Sequence, residues 1–378
     1  MFPILLANLV SNALTPRSPP RRMPPPGRAS KGKRRTKPIN LALQGGGAHG
    51  AFTWGVLDYI LEDGRLGIEG LSGTSAGALN AVVCVDGLAR GGPQEARKRL
   101  ADFWRAVSID GELPLMQRQI VERLFTFMPL EGTPVQAWFD AMSRYFSPYD
   151  LNPLNINPLR GMVERFVDFD ALHRCGDVQL YVSATNVITG RLRIFPREKI
   201  SADVVMASSA LPTLFQAVMI DGAPYWDGGY MGNPVIFPFF RNTTTEDVLI
   251  VQINPVARRE VPTSARDIMN RINEITFNSS LLAEYRAIEF VARLIDHGRL
   301  PRGVGPGQYR RVNAHRIVLG DGQKVYSADT KLSTDYDFFR MLHANGRHAA
   351  QRFLDEHFDD IGVRSTFDLR AEAQAEWA

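Results

Sequence analysis

Cysteine is nearly absent from this chain. Cys84 and Cys175 are the only two among 378 residues. Two cysteines form no disulfide framework, which excludes a small stapled scaffold and is compatible with a reducing compartment such as the cytoplasm. Long apolar runs are absent as well. No uncharged apolar stretch approaches the roughly 18 residues of a membrane span. The apolar opening from Phe2 to Leu14 is too short to span and has no basic lead-in, so it matches a secretory signal poorly. Acidic residues are missing from residues 1–38, which hold nine of the 44 basic side chains. Residues 39–378 therefore carry 35 basic against 40 acidic residues, a net of −5. The basic character belongs to a tail, and a nucleic-acid-binding body is excluded, since it would be basic among its folded elements. No calcium-loop pattern or Cys/His zinc spacing occurs, so no metal or cofactor is expected.

Apolar content of 44% and charged content of 22% describe an ordinary globular body. The prolines between Pro16 and Pro26 break any helix in the tail, and composition favours a disordered extension, or a misassigned start with Met23 as a later candidate. The alternative is a basic segment that leans on an anionic membrane surface. From Pro38 the pattern becomes regular. Strands are expected at Ile39 to Leu43 and Leu66 to Leu71, each followed by helical spacing, at Ala51 to Glu62 and Ala76 to Leu88. Gly91-Gly92-Pro93 stops the second helix. This alternation predicts a parallel α/β sheet. Residues 94–170 read as a mostly helical, aromatic-rich insertion. Its stretch 104–146 reads as core helices, or else as a lid or acyl-chain wall. Strand signals return at Gln179 to Ala184, Arg191 to Phe195 and Asp247 to Ile253. Val218 to Ile220 and Pro224 to Trp226 form a hairpin around Asp221-Gly222. A long helix from Ser264 to His297, with Ile268, Ile272, Ile275, Leu282 and Ile288 as its apolar stripe, a loop at 300–313 and a helix near Asp335 to Phe358 complete the body. Residues 361–378 are expected to fray.

The chemistry gathers at Gly73-Thr74-Ser75-Ala76-Gly77. A G-x-S-x-G on a strand-to-helix turn is a nucleophile elbow, with the serine at a helix N-terminus that favours developing negative charge. One unit earlier lies Gly45-Gly46-Gly47-Ala48-His49-Gly50, whose Gly46 and Gly47 N–H groups could serve an oxyanion. In a parallel sheet both turns open at one edge, so the two can meet. The same glycines fit G-x-G-x-x-G, the dinucleotide fingerprint, through Gly45, Gly47 and Gly50. That motif wants an acid about 20 residues on, and the second elbow stands in its place. For a base, any of the five histidines after Asp227 would suit a Ser-Asp-His triad, though none has a motif around it. Asp227, between Tyr225-Trp226 and Gly228-Gly229, stands out instead. Apolar neighbours would raise its pKa toward a useful range. Asp221 sits at a hairpin tip and reads as a turn residue.

These blocks, in this order, resemble the patatin-like phospholipases, with Asn233-Pro234 and Ala207-Ser208-Ser209-Ala210-Leu211-Pro212 adding to the likeness. The resemblance covers residues 39–241 well and 242–360 more loosely. It implies a three-layer α/β/α fold around a mostly parallel sheet, with 39–241 as the catalytic region and 242–360 completing the same domain. It implies Ser75 as nucleophile and Asp227, flanked by Gly228 and Gly229, as base of a Ser-Asp dyad. Gly45 to Gly50 would be the oxyanion hole, and Gly73, Thr74, Ala76 and Gly77 the elbow. The implied substrates are acyl esters of membrane-derived phospholipids or lysophospholipids, met by a cytoplasmic or peripheral protein. Many relatives have Arg or Lys where this chain has His49, which would supply a cation only when protonated. The readings that compete with this hydrolase are the histidine triad and a catalytically dead lipid- or nucleotide-binding module.

Overall fold

A computed structural model describes residues 36–108, 147–258, 260–303, 307–320, 330–331 and 333–373. The tail through residue 35 and the middle of the aromatic-rich insertion, 109–146, lie outside the described residues. The strands are β1 (Lys37–Leu43), β2 (Leu66–Gly73), β3 (Gln179–Asn186), β4 (Leu192–Pro196), β5 (Val218–Ile220), β6 (Ala223–Asp227), β7 (Asp247–Gln252) and β8 (Asn313–Val318). The principal helices are α1 (Gly50–Asp63), α2 (Ala76–Val107), α3 (Ala202–Ser208), α4 (Ala265–Asp296), α5 (Tyr336–His357) and the closing turn α6 (Leu369–Ala373). The strands pair in the order β5-β6-β3-β2-β1-β7-β8, with β4 also on β3. Pairing is parallel from β3 through β8 and antiparallel at β4, β5 and β6.

The near-continuous apolar runs of β1 and β7 follow from burial on both faces. Ile39, Leu41 and Leu43 point to one face with Leu249 and Val251, where α1, α2 and α5 pack. Ala42, Val248 and Ile250 point to the other, against Leu281, Tyr285 and Ile288 of α4. The expected three-layer α/β/α arrangement is therefore present. The first helical layer is closed by Asp58 of α1, which meets Arg97 of α2 at 2.7 Å and also His343 and Arg347 of α5.

One pairing detail places the functional site. Tyr181 and Val182 of β3 pair with β2 and with β4, and Ala184 and Thr185 pair with β4 and with β6. A strand has two edges, so β2 and β6 must share the edge opposite β4. They lie along it end to end. The C-terminal end of β2, at Gly73, thus faces the C-terminal end of β6, at Asp227.

The break at Gly91-Gly92 is real, with Gly92 at φ 72°, and helix resumes through Pro93 to Val107, at the start of the helical stretch expected from residue 94. The structure departs from the expected elements in three places. Strand β8 is not expected from its sequence, which is half polar. Asn313 and His315 bond Asp247, and Arg316 bonds Glu372. Residues 361–373 do not fray: Ile361 and Leu369 are buried, and Thr366 N–H bonds the Ala314 carbonyl. On α4, capped by Ser264, the buried stripe is Leu281, Tyr285 and Ile288, while Ile268, Ile272 and Ile275 are exposed.

Leu41 is fully buried beneath the first helical layer. Leu41→Ala should cost about 2–5 kcal/mol of stability, read as a lower urea midpoint with an unchanged slope.

Candidate active site

Ser75 stands between β2 and α2 at φ 55° and ψ −124°. A non-glycine residue there is strained by about 1–3 kcal/mol, and the surroundings must hold it. They do so from three sides. Ser75 N–H donates to Ser208 Oγ at 2.9 Å. Thr74 Oγ1 donates to the Gly232 carbonyl at 2.7 Å and lies 2.6 Å from Ser183 Oγ. Gly77 packs so tightly on the Leu43 carbonyl that a Cβ would overlap it. The turn leaves Ser75 partly exposed between buried neighbours, at the N-terminus of α2.

The glycine block after β1 meets this elbow. A Cβ on Gly45 would fall 2.6 Å from Ser75 Cβ and 2.5 Å from the Thr74 carbonyl. The backbone donors of the block divide into two groups. Gly45 N–H is taken by Asn233 Oδ1 at 2.6 Å, His49 N–H by the Gly46 carbonyl, and Gly50 N–H by the Gly47 and Ala48 carbonyls. Those three are committed to the fold, which corrects the expectation that the whole block offers donors. Among the described residues, no hydrogen bond occupies the N–H of Gly46 or Gly47. The Cβ side of Gly47 is filled by the Lys331 carbonyl, and β2 ends in the elbow, so the requirements of a dinucleotide cradle are not met.

Asp227 closes β6 and is fully buried. Its backbone is fixed by Asp227 N–H to the Ala210 carbonyl at 2.9 Å and by Thr185 Oγ1 donating to its carbonyl at 2.8 Å. Oδ1 accepts from Gly229 N–H at 2.7 Å. Oδ2 has no hydrogen-bond partner among the described residues. Burial pushes the Asp227 pKa up to about 7, against the Gly229 N–H and the Ser75 hydroxyl, which favour the ionised form. Gly228 packs on Ser183, and Gly229 on the ring of Phe277. Tyr230, beside them, is raised to about 12 by burial and by the Asp227 charge.

The histidines lie elsewhere or are neutral. His49 is buried, with Nε2 2.7 Å from Thr330 Oγ1. Burial, then the charges of Lys331 and Arg258, draw its pKa down to about 3. It is therefore a neutral imidazole at physiological pH, and the pH-dependent cation expected there does not form. His297 bonds its own helix at Arg293, His315 pairs with Asp247, His343 with Asp58, and His357 with Asp360. His348 is exposed on α5. Asp221 sits in the left-handed region at the tip of the β5–β6 hairpin, φ 51°, as a turn residue. Trp104, the first residue of the expected lid stretch, is core: it stacks on Trp54 and bonds Asn80 at 3.0 Å. No group of three or more His, Cys, Asp or Glu among the described residues could hold a metal ion.

Several residues at the site carried no assigned role in the sequence. Gln44, Asn233, Asn254 and Asn278 form a buried amide cluster behind the glycine block. Gln44 and Asn254 follow the ends of β1 and β7, at the same sheet edge as Ser75. Position on that edge was the one signal available for them. Lys331, which bonds Asn254, had none.

A family model described as patatin-like phospholipase matches residues 41–240. No curated protein sequence matches the chain. Among solved structures, VipD from Legionella pneumophila is similar at 15% identity and TM-score 0.36, over 85% of this chain and 67% of that one. Human GIVD cytosolic phospholipase A2, in complex with methyl gamma-linolenyl fluorophosphonate, is similar at 13% identity and TM-score 0.38, over 90% and 59%. ExoU from Pseudomonas aeruginosa, in its complex with SpcU, is similar at 18% identity and TM-score 0.29, over 65% and 51%. The chain thus spans between half and two thirds of these structures.

Two outcomes follow from the packing and the titration. Gly45→Ala should destabilise by about 1–3 kcal/mol through overpacking against Thr74 and Ser75, measured by thermal unfolding. A carboxyl whose folded pKa is raised from 3.8 to about 7 opposes folding once it ionises, so its penalty grows from about pH 4 to pH 7 and then stays. Asp227→Asn should accordingly raise Tm at pH 8 and lose that advantage near pH 4.

Proposed function

We propose that this chain, which belongs to the patatin-like phospholipase family, hydrolyses fatty-acyl esters of membrane-derived phospholipids or lysophospholipids through a Ser75–Asp227 dyad. The observation that supports this reading is a fully buried carboxylate whose Oδ2 has no hydrogen-bond partner among the described residues and whose ionised form the Ser75 hydroxyl favours. A serine hydroxyl needs a base that is ionised near neutral pH yet basic enough to accept its proton. Burial gives Asp227 that balance.

Ser75 Oγ attacks the ester carbonyl carbon as Asp227 takes the hydroxyl proton. The carbonyl π electrons move onto oxygen, and the N–H groups of Gly46 and Gly47, with the N-terminus of α2, receive the resulting negative charge. Collapse breaks the ester C–O bond. The proton on Asp227 passes to the departing alkoxide, leaving an acyl-Ser75. Water then attacks the acyl carbon, Asp227 takes its proton, and the fatty acid leaves as Ser75 recovers its hydrogen. Each of the five later histidines has its place elsewhere, which favours the dyad over a triad. A lipid substrate draws the protein to a membrane surface as a peripheral visitor. No helix among the described residues is long and apolar enough to cross a membrane.

Ser75→Ala and Asp227→Asn should each lower kcat for a lysophospholipid by at least about 10³-fold with the circular dichroism spectrum unchanged, and a fluorophosphonate should label wild type but not Ser75→Ala. Turnover that survives in either variant sinks the dyad. Because the base must be ionised, kcat/KM should rise with pH on an acid limb centred near pH 7. A single histidine replacement that abolishes turnover would instead point to the triad.

A further inference from the structure

The residues at 49 and 331 together raise a question about charge. His49 is neutral, so the glycine block has no cation of its own. One arrives from the far end of the chain. Thr330 Oγ1 lies on His49, the Lys331 carbonyl packs on Gly47, and Lys331 Nζ donates to Asn254 Oδ1 at 2.7 Å. Asn254 is itself tied to the block. Its Nδ2 donates to the Gly45 carbonyl at 2.7 Å and to Gln44 Oε1 at 3.1 Å. Two acceptors on the nitrogen side and a cation on the oxygen side fix the amide orientation, since a flipped amide would set oxygen against oxygen.

The Gly45 carbonyl and the Gly46 N–H belong to one planar peptide unit. A donor on that carbonyl draws electron density toward oxygen and makes the N–H a stronger donor, as hydrogen bonds in series polarise one another. Building on the dyad reading, we propose that Lys331 and Asn254 are positioning residues that polarise the oxyanion loop from behind. The ammonium of Lys331 strengthens the bond from Asn254 to the Gly45 carbonyl, and through that peptide the Gly46 N–H that faces the developing oxyanion. Neither residue touches substrate. The series is Lys331 Nζ, Asn254, the Gly45–Gly46 peptide, and then the reacting oxygen. It gives the chain a cation for the loop that the residue at position 49 does not supply.

Among the described residues, the charged and titratable groups that act on Lys331 are Glu274, Arg258 and His49. Glu274 is held by Arg258 and by Arg271 at 3.3 Å, so most of its charge is already matched. Burial draws the Lys331 pKa down to about 8, with Glu274 opposing and Arg258 adding to the fall. The ammonium form is the useful one. The benefit is therefore present below about pH 8 and lost as pH rises through it.

The test is kcat and KM for a soluble p-nitrophenyl ester from pH 5.5 to 10, with wild type, Lys331→Met and Lys331→Arg. Wild type should lose activity above about pH 8. Lys331→Met should lower kcat at pH 7.5 about 10-fold with KM little changed, and its profile should lack the alkaline fall. Lys331→Arg should recover most of kcat and carry the alkaline fall to higher pH, because a guanidinium stays charged. A structural role would not move that limb. Wild-type kcat and an unaltered profile in Lys331→Met would overturn the proposal. If Lys331→Met does not fold, Lys331→Arg decides alone: an alkaline fall that stays near pH 8 rejects the role of Lys331. Failure of the dyad reading is seen separately, as turnover retained by Ser75→Ala, and it removes this inference with it.

Discussion

The shared edge of β3 is the constraint on which the rest of the site depends. Because β4 occupies the outer edge along Tyr181 to Thr185, β2 and β6 must follow one another along the inner edge. Their C-terminal ends then meet, and the chain has no room to separate Ser75 from Asp227. The strain at Ser75, the Thr74–Ser183–Gly232 hydrogen bonds and the close fit of Gly45 all act on that junction. A parallel sheet alone would have opened both glycine turns at one edge. It would not have delivered a carboxylate there. The antiparallel hairpin inserted behind β2 does that.

Burial sets the charges once the geometry is fixed, with consequences that differ by residue. It raises Asp227, because a lone carboxylate in a dry place resists ionisation. It lowers His49, because a buried imidazolium beside two cations is costlier still. Asp58 shows the opposite balance: burial would raise it, but hydrogen bonds from His343, Arg97 and Arg347 hold its carboxyl well below the usual range. A buried acid with three cationic or polar donors is structural. A buried acid with one backbone donor and a serine hydroxyl nearby keeps a raised pKa. The contrast between Asp58 and Asp227 lies in their partners, since both are buried.

The strands and helices that frame the site were legible because their residues obey local rules. β1 and β7 read as strands from continuous apolar runs, α1 and α2 from their spacing, and the β5–β6 hairpin from Asp221-Gly222. The resemblance to the patatin-like phospholipases implied Ser75 and Asp227 as a pair, and the two stand at the facing ends of β2 and β6. β8 was hidden because its polar residues are satisfied by partners distant in sequence, Asp247 and Glu372. The exposed stripe on the first half of α4 misled for the converse reason: helical periodicity records amphipathicity and does not say what covers the apolar face. Asn254 had only its place just after a strand as a signal and Lys331 had none, since their meaning lies in contacts across the sheet edge. The commitment of Gly45 N–H to Asn233 was equally invisible, although both residues stand in recognisable blocks.

In the proposed mechanism these observations bear on why a carboxylate could serve where a histidine is more familiar. A triad uses its acid to hold and orient an imidazole, whose ordinary pKa already lies near neutrality. Here the edge of β3 supplies the orientation, through the backbone bonds of Asp227 to Ala210 and Thr185. Burial supplies the pKa. An imidazole inserted at this junction would be drawn down by burial, as burial, together with two nearby cations, draws down His49, and would lose the basicity for which it is chosen. Dryness thus favours an acid as the base: the environment that weakens a histidine strengthens an aspartate.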